Sequence, residues 1–239
     1  MFLNSELRGR HLSYGADEYS LTFDDGPSPD VTATLAEYLH AEGVCATFFV
    51  LGERATAPAL QKIVSLGHRI GNHTFSHQNL DDYKGDHRAE IERQILECHR
   101  RIEPYARQGR IPFRAPGGAW SDPRFSRFAN ELPVAKRYIG RYGWDIDAND
   151  WRLLRRVGHP ERISLETYCR RFERAIDGFR GGIMLLHDGF PSNEAHLTDP
   201  VQNMALEVAR FALATMRSRG FRCVPLKEPP YWREYFDRI

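Results

Sequence analysis

Apolar residues along this chain follow one recurring scheme: a stretch with helical spacing, a glycine, then a short apolar run. The spacing predicts a first helix beginning near Ser28-Pro29-Asp30, where a capping residue precedes an early proline. That helix carries Val31, Leu35 and Leu39 inward and stops at Gly43, and a strand over Val44–Val50 follows. A second helix, with Leu60, Ile63 and Val64, stops at Gly67 and feeds a strand ahead of His73. A third runs from about Asp86 to about Tyr105, with Ile91, Ile95, Cys98 and Ile102 at steps of four, three and four on one face. Near the end, Val201, Met204, Val208 and Phe211 mark another such face, closed by Gly220, and the last strand covers Phe221–Leu226.

Strands alternating with helices imply a mostly parallel sheet with helices packed outside it. About seven such units favour an α/β fold of the distorted (β/α) barrel kind, closed or nearly so, over an open doubly wound sheet. With no low-complexity segment or interdomain linker, one domain is expected over residues 19–228. Residues 1–18 then form an N-terminal extension and 229–239 a C-terminal tail.

Composition narrows the picture. With 41% hydrophobic residues in 239, the chain is long enough to bury a full core. Its 33 Lys and Arg nearly balance 32 Asp and Glu, so nothing calls for nucleic acid or an anionic membrane as partner. Cys45, Cys98, Cys169 and Cys223 form no CxxC pair and read as small core residues, not a disulfide framework or a thiolate site. The opening MFLNSELRGR lacks the apolar core of a signal peptide, and no apolar run reaches the ~20 residues that span a bilayer. A cytoplasmic location is expected; the sequence sets no oligomeric state.

In parallel β/α folds, catalytic groups gather at the carboxyl ends of strands. Five predicted strand ends here carry ionisable groups: Asp24-Asp25 after Tyr19–Phe23, His73 and His77 after Gly71, Arg114 after Phe113, Asp145 (with Asp147 and Asp150 behind it) after Trp144, and His187-Asp188 after Leu186. Each has a duller explanation alone. Adjacent aspartates before Gly-Pro build turns, histidines four apart are often surface residues, and a strand-end histidine is often a satisfied core group. Their co-occurrence at equivalent places in the repeat argues for an active site.

The runs Thr22-Phe23-Asp24-Asp25-Gly26-Pro27, His73-Thr74-Phe75-Ser76-His77, Arg114-Ala115-Pro116-Gly117-Gly118, Asp147-Ala148-Asn149-Asp150-Trp151 and Leu185-Leu186-His187-Asp188-Gly189 resemble, in order, the five motifs of the polysaccharide deacetylase family (carbohydrate esterase family 4). The likeness spans about Tyr19 to about Leu226 and is nearest the chitooligosaccharide deacetylases of the nodulation type. The resemblance implies a distorted β/α barrel and removal of acetyl from an N-acetylated amino sugar. It implies one divalent metal, Zn²⁺ or else Co²⁺, Ni²⁺ or Fe²⁺, on Asp25, His73 and His77. Asp24 would be general base, His187 general acid, Arg114 the residue orienting Asp24, and Asp150 the partner of His187.

The HxxxH spacing is expected to work because residues four apart share one side of a helical turn. Trp151 and Leu185 are expected at the substrate site, with Trp144 as a further wall or a core residue. Family members usually carry tyrosine where this chain has Gly117. That keeps a backbone N–H for the developing oxyanion but removes a pocket wall, a gap that Trp120 would partly fill. Arg152, Arg155, Arg156 and Arg162 read either as an exposed segment or as a grip on an anionic group of the substrate. Two rival functions are a C–N hydrolase of another small amide and a non-catalytic carbohydrate-binding relative. The intact Asp25, His73, His77 set stands against the first, and the presence of both Asp24 and His187 against the second.

Overall fold

In a computed structural model of the protein, residues 1–29, 31–106, 109–190 and 204–230 are described. Nine strands form one sheet in which every pairing is parallel: β1 (Phe2–Leu7), β2 (Glu18–Asp24), β3 (Thr47–Val50), β4 (Arg69–Asn72), β5 (Ile111–Phe113), β6 (Tyr138–Tyr142), β7 (Ile146–Asp147), β8 (Gly182–His187) and β9 (Arg222–Cys223). Along the sheet the order is β1-β6-β5-β4-β3-β2-β8-β7, with β9 added on β2. Six helices connect them: α1 (Val31–Ala41), α2 (Ala57–Ser65), α3 (His87–Ile102), α4 (Pro123–Asn130), α5 (Leu165–Ile176) and α6 (Ala205–Ser218). The chain is a single domain whose parallel sheet curls into a partial barrel, as the repeat predicts.

The helices form where the periodicity places them, with shifted ends. α1 starts at Val31 with Leu35 and Leu39 fully buried, and Asp30 lies outside the described residues. Gly43, at φ 70, turns the chain out of it. The predicted strand from Val44 joins the ladder only at Thr47, because its first backbone groups are used elsewhere: Val44 N–H by Leu39 O at 2.8 Å and Ala46 N–H by His68 Nδ1 at 3.2 Å. α3 is capped by Asp86, whose Oδ1 accepts from Arg88 N at 2.9 Å, and buries Ile91, Ile95, Cys98 and Ile102 as expected. On α6, Val208 is buried and Phe211 packs on the core; Val201 lies outside the described residues.

Two elements depart from expectation. The last strand was predicted over Phe221–Leu226 but pairs only at Arg222–Cys223. It occupies the edge of β2 at Glu18 and Tyr19, and β3 takes that same edge from Thr22 onward, so β9 has nowhere to continue. Residues 1–18, expected as an extension, supply β1, which pairs with β6, and Phe2, which stacks with Phe113 and Tyr138 in the core.

The two ends of the strand order are linked by the chain itself. β6 and β7 are separated only by residues 143–145, so one extended segment begins against β5 and β1 and finishes against β8. Asp145 bridges the gap: its N–H donates to Ile183 O at 2.8 Å, and its Oδ2 accepts from Gly9 N–H and Ile183 N–H, both at 2.8 Å. Its carboxylate stands in for missing ladder partners, so the strand-end ionisable group expected there is structural.

Side chains alternate across each strand. Phe48 and Val50, Leu21 and Phe23, and Met184 and Leu186 join the main core, whereas Phe49 and Ile183 join a smaller cluster with Leu7, Leu12, Ile139 and Tyr142 on the other face. By the same alternation Thr22, Asp24, Leu185 and His187 lie on the side of Phe49 and Ile183. Polar groups therefore appear where the inner row reaches the carboxyl end of the strands.

Candidate active site

Asp24 closes β2 in extended conformation, and Asp25 follows at φ 74, so consecutive carboxylates point to different partners. The turn depends on an interlock between two runs. A Cβ on Gly26 would lie 2.1 Å from Asp188 Oδ2, and one on Gly189 would lie 2.6 Å from Asp25 O, so only glycine fits either place. Asp188 N–H donates to Asp24 O at 3.1 Å, and its Oδ2 accepts from Thr32 Oγ at 2.5 Å, fixing the loop after β8 to the loop after β2. Burial pushes the Asp188 carboxyl up to about 7.

Beyond β4 the structure corrects one expectation. His73 to His77 is not a helical turn: Thr74 at φ 73 and His77 at φ 56 bend the chain so that the imidazoles meet, ring centroids 5.2 Å apart. Two polar residues that sequence reasoning missed hold this loop. Asn72 Oδ1 accepts from Thr74 N–H at 2.8 Å, and Gln94 Oε1 accepts from Phe75 and Ser76 N–H at 2.8 and 2.9 Å. The available signal was Gln94 itself, a polar residue one turn from Ile91 and Cys98 on the buried stripe of α3.

His73 Nε2 and His77 Nε2 each lie 3.3 Å from Asp25 Oδ1. Among the described residues that oxygen accepts no hydrogen bond although it is buried, an arrangement a protein interior rarely tolerates without a cation. The three donor atoms lie within 4.8 Å of one another. Burial would raise the Asp25 carboxyl, but the charges of His77 and His73 hold it below the usual carboxylate range. Asp25, His73 and His77 thus suit a divalent ion in donor type and convergence.

Arg114, at the end of β5, is fully buried and lies over the Phe49 ring with its carbon 4.2 Å from the centroid. Its Nη1 donates to Asp24 Oδ1 at 2.7 Å and Thr22 Oγ at 2.9 Å, its Nη2 to Gly143 O at 3.0 Å. Across the site, Asp150 Oδ1 accepts from His187 Nδ1 at 2.8 Å and Asp150 Oδ2 from His187 N–H at 2.8 Å. Burial alone would depress this imidazole. The Asp150 charge and hydrogen bond, with Asp25 and Asp24 behind, push it up to about 10.

These groups share one cleft of about 370 Å³, which Trp144, Trp151, Leu185 and Gly117 also line. Gly117 sits at φ 56, and a Cβ there would meet nothing within 4 Å. Trp120 does not line the cleft. It is buried in the core against Phe2, Phe113 and Phe125, with Nε1 donating to Ser126 Oγ at 2.9 Å, so it cannot fill the gap at Gly117. The aromatic environment supplied by β1, invisible in the sequence reading, draws it inward. Of the four arginines singled out after Trp151, Arg155 alone lines the cleft.

A profile of the family described as polysaccharide deacetylase matches residues 13–134. A chitooligosaccharide deacetylase of Azorhizobium caulinodans is 36% identical over 212 residues, covering 86% of this chain and 91% of that one. A peptidoglycan-N-acetylglucosamine deacetylase of Bacillus cereus is 31% identical over 216 residues, covering 87% and 86%. Among solved structures, a peptidoglycan N-acetylglucosamine deacetylase superposes with a TM-score of 0.68 at 27% identity, over 90% of this chain and 88% of that one. No described helix is long and apolar enough to cross a membrane.

Proposed function

The chain belongs to the polysaccharide deacetylase family, and from that membership we propose that it hydrolyses the N-acetyl group of an amino sugar, in an oligosaccharide, a polysaccharide or a sugar-containing small molecule. One observation carries the reading. Asp25 Oδ1 and two imidazole nitrogens converge at 3.3 Å between a carboxylate held by an arginine and an imidazole held by a carboxylate, all in one cleft.

Asp25, His73 and His77 would hold one divalent ion, zinc in the first instance and cobalt, nickel or iron otherwise, which when bound would polarise the acetyl carbonyl and make water easier to deprotonate. Asp24, ionised and fixed by Arg114, accepts the proton of the attacking water. Gly117 N–H is the donor available to the carbonyl oxygen as it gains charge. His187 gives the proton from Nε2 to the leaving amine, which cannot depart as an anion, while Asp150 keeps the ring charged and oriented. Trp151 and Leu185 offer apolar surface to the sugar.

The test is acetate release from N-acetylglucosamine oligomers by chelated protein reconstituted with Zn²⁺ or Co²⁺. Metal-dependent release supports the reading. Folded, metal-binding protein that releases acetate from no oligomer would count against it and in favour of another amide or of binding alone.

A further inference from the structure

We propose that Arg155 makes the cleft selective for amino sugars that carry an oxyanionic substituent, a carboxylate or a phosphate ester, on the sugar itself. The inference rests on the deacetylase reading above and names its substrate class.

Arg155 follows directly on the short helical turn Asp150–Leu154. That turn carries three functions within six residues: Asp150 fixes His187, Trp151 walls the cleft, and Arg155 lines it while only 8% exposed. Among the described residues lining the cleft it is the only arginine or lysine. Its guanidinium carbon lies 4.9 Å from the Trp151 ring centroid. Stacking of this kind fixes a guanidinium in place, and its N–H fork matches the two oxygens of a carboxylate or phosphate. Glu161, half exposed, is 3.7 Å away, beyond the distance of a tight charge-assisted bond, so a substrate oxyanion can compete for the same fork.

The acidic side chains of the cleft are engaged at its floor: Asp24 with Arg114, Asp25 facing the two imidazoles, and Asp147 Oδ1 accepting from Asn149 N–H at 2.6 Å. Position decides which part of the substrate Arg155 meets. The scissile amine must face His187, and His187 is held by the first residue of the turn that Arg155 follows. The acetyl group lies towards Asp25 and Asp24, so the sugar and its substituents lie towards Arg155. Gly117, with open space where a side chain would stand, leaves room for a substituted ring.

The experiment compares metal-replete wild type, Arg155→Gln and Arg155→Lys on neutral N-acetylglucosamine oligomers, N-acetylmuramic acid and N-acetylglucosamine 6-phosphate. Binding of glucosamine and glucosamine 6-phosphate is measured alongside by calorimetry. Arg155→Gln is expected to raise KM for the anionic sugars about tenfold more than for the neutral ones, with kcat changed alike for both and Arg155→Lys recovering part of the loss. Raising salt from about 0.1 M to about 0.5 M should weaken only the anionic substrates in wild type. Preference for N-acetylmuramic acid or for the phosphate tells a carboxylate source from a phosphate source. An equal rise in KM for neutral and anionic sugars overturns the proposal and leaves Arg155 a prop for Trp151. If wild type releases no acetate from any sugar, the deacetylase reading fails. The calorimetric preference for glucosamine 6-phosphate, and its loss in Arg155→Gln, then decides the present inference by itself.

Discussion

The main-chain carbonyl of Arg114 accepts a hydrogen bond of 2.9 Å from Nδ1 of His73. A carbonyl only accepts, so Nδ1 carries the proton and the lone pair of Nε2 faces Asp25 and Asp24. The guanidinium of the same arginine holds Asp24 at 2.7 Å. One residue therefore sets the tautomer of an expected metal ligand through its backbone and the orientation of the expected base through its side chain.

Replacing Arg114 separates these duties. Arg114→Ala keeps the carbonyl but strands Asp24 in a buried site, which should cost about 3–5 kcal/mol and lower Tm by about 10 °C or more. Arg114→Lys keeps a charge without the fork, so kcat should still fall by about 10²-fold. Wild-type turnover in the lysine variant would remove the orienting role.

Asp24→Asn should keep the ion while losing about 10²–10⁴-fold in kcat, whereas His77→Ala should lose the ion itself. Metal content after dialysis, read with acetate release at saturating metal, distinguishes the two. An Asp24→Asn protein of normal activity would show that another group takes the water's proton.

The His187 imidazole is raised to about 10 with Asp150 beside it, against a burial effect of opposite sign. Asp150→Asn removes the charge that wins, so the imidazole loses its proton at lower pH. As an acid that must be protonated to act, it then fails earlier: the basic limb of the pH–rate profile moves to the acid side. An unmoved basic limb would assign that limb to a different group.

Gln94→Ala frees the N–H groups of Phe75 and Ser76 without touching Asp25, His73 or His77. Metal affinity should drop about 10–100-fold, as it does when groups supporting ligands are lost, and added metal should restore kcat. Competition titration with a chelating dye checks this; an unaltered affinity means the loop holds its shape without the glutamine.

Much of this site is legible in the sequence because chemistry and periodicity coincide. Asp24, Asp25, His73, Arg114 and His187 sit where short apolar runs end, and the inward row of each strand aims them at one place. What stays hidden depends on partners far along the chain. The helical reading of His73 to His77 fails because left-handed Thr74 and His77 are dictated by Asn72 and Gln94. Trp120 looks like a pocket residue until β1 supplies Phe2 as its neighbour. Asp145 looks catalytic until the missing strand partners appear that its carboxylate replaces. β1 itself escapes notice because it is an edge strand whose register shifts between Phe2 and Leu7, so its pattern is weak.

The crowding of β2 bears on how the protein is made. This strand carries Asp24, yet its neighbour on one edge is β8, and the start of its other edge is covered by β9, the last strand of the chain. During synthesis β2 leaves the ribosome early and waits, with one edge open, until nearly the whole polypeptide has been translated. An unpaired apolar edge invites intermolecular pairing. Shortening this chain from its C-terminal side past Cys223 should therefore yield aggregation of nascent protein, not a smaller soluble enzyme.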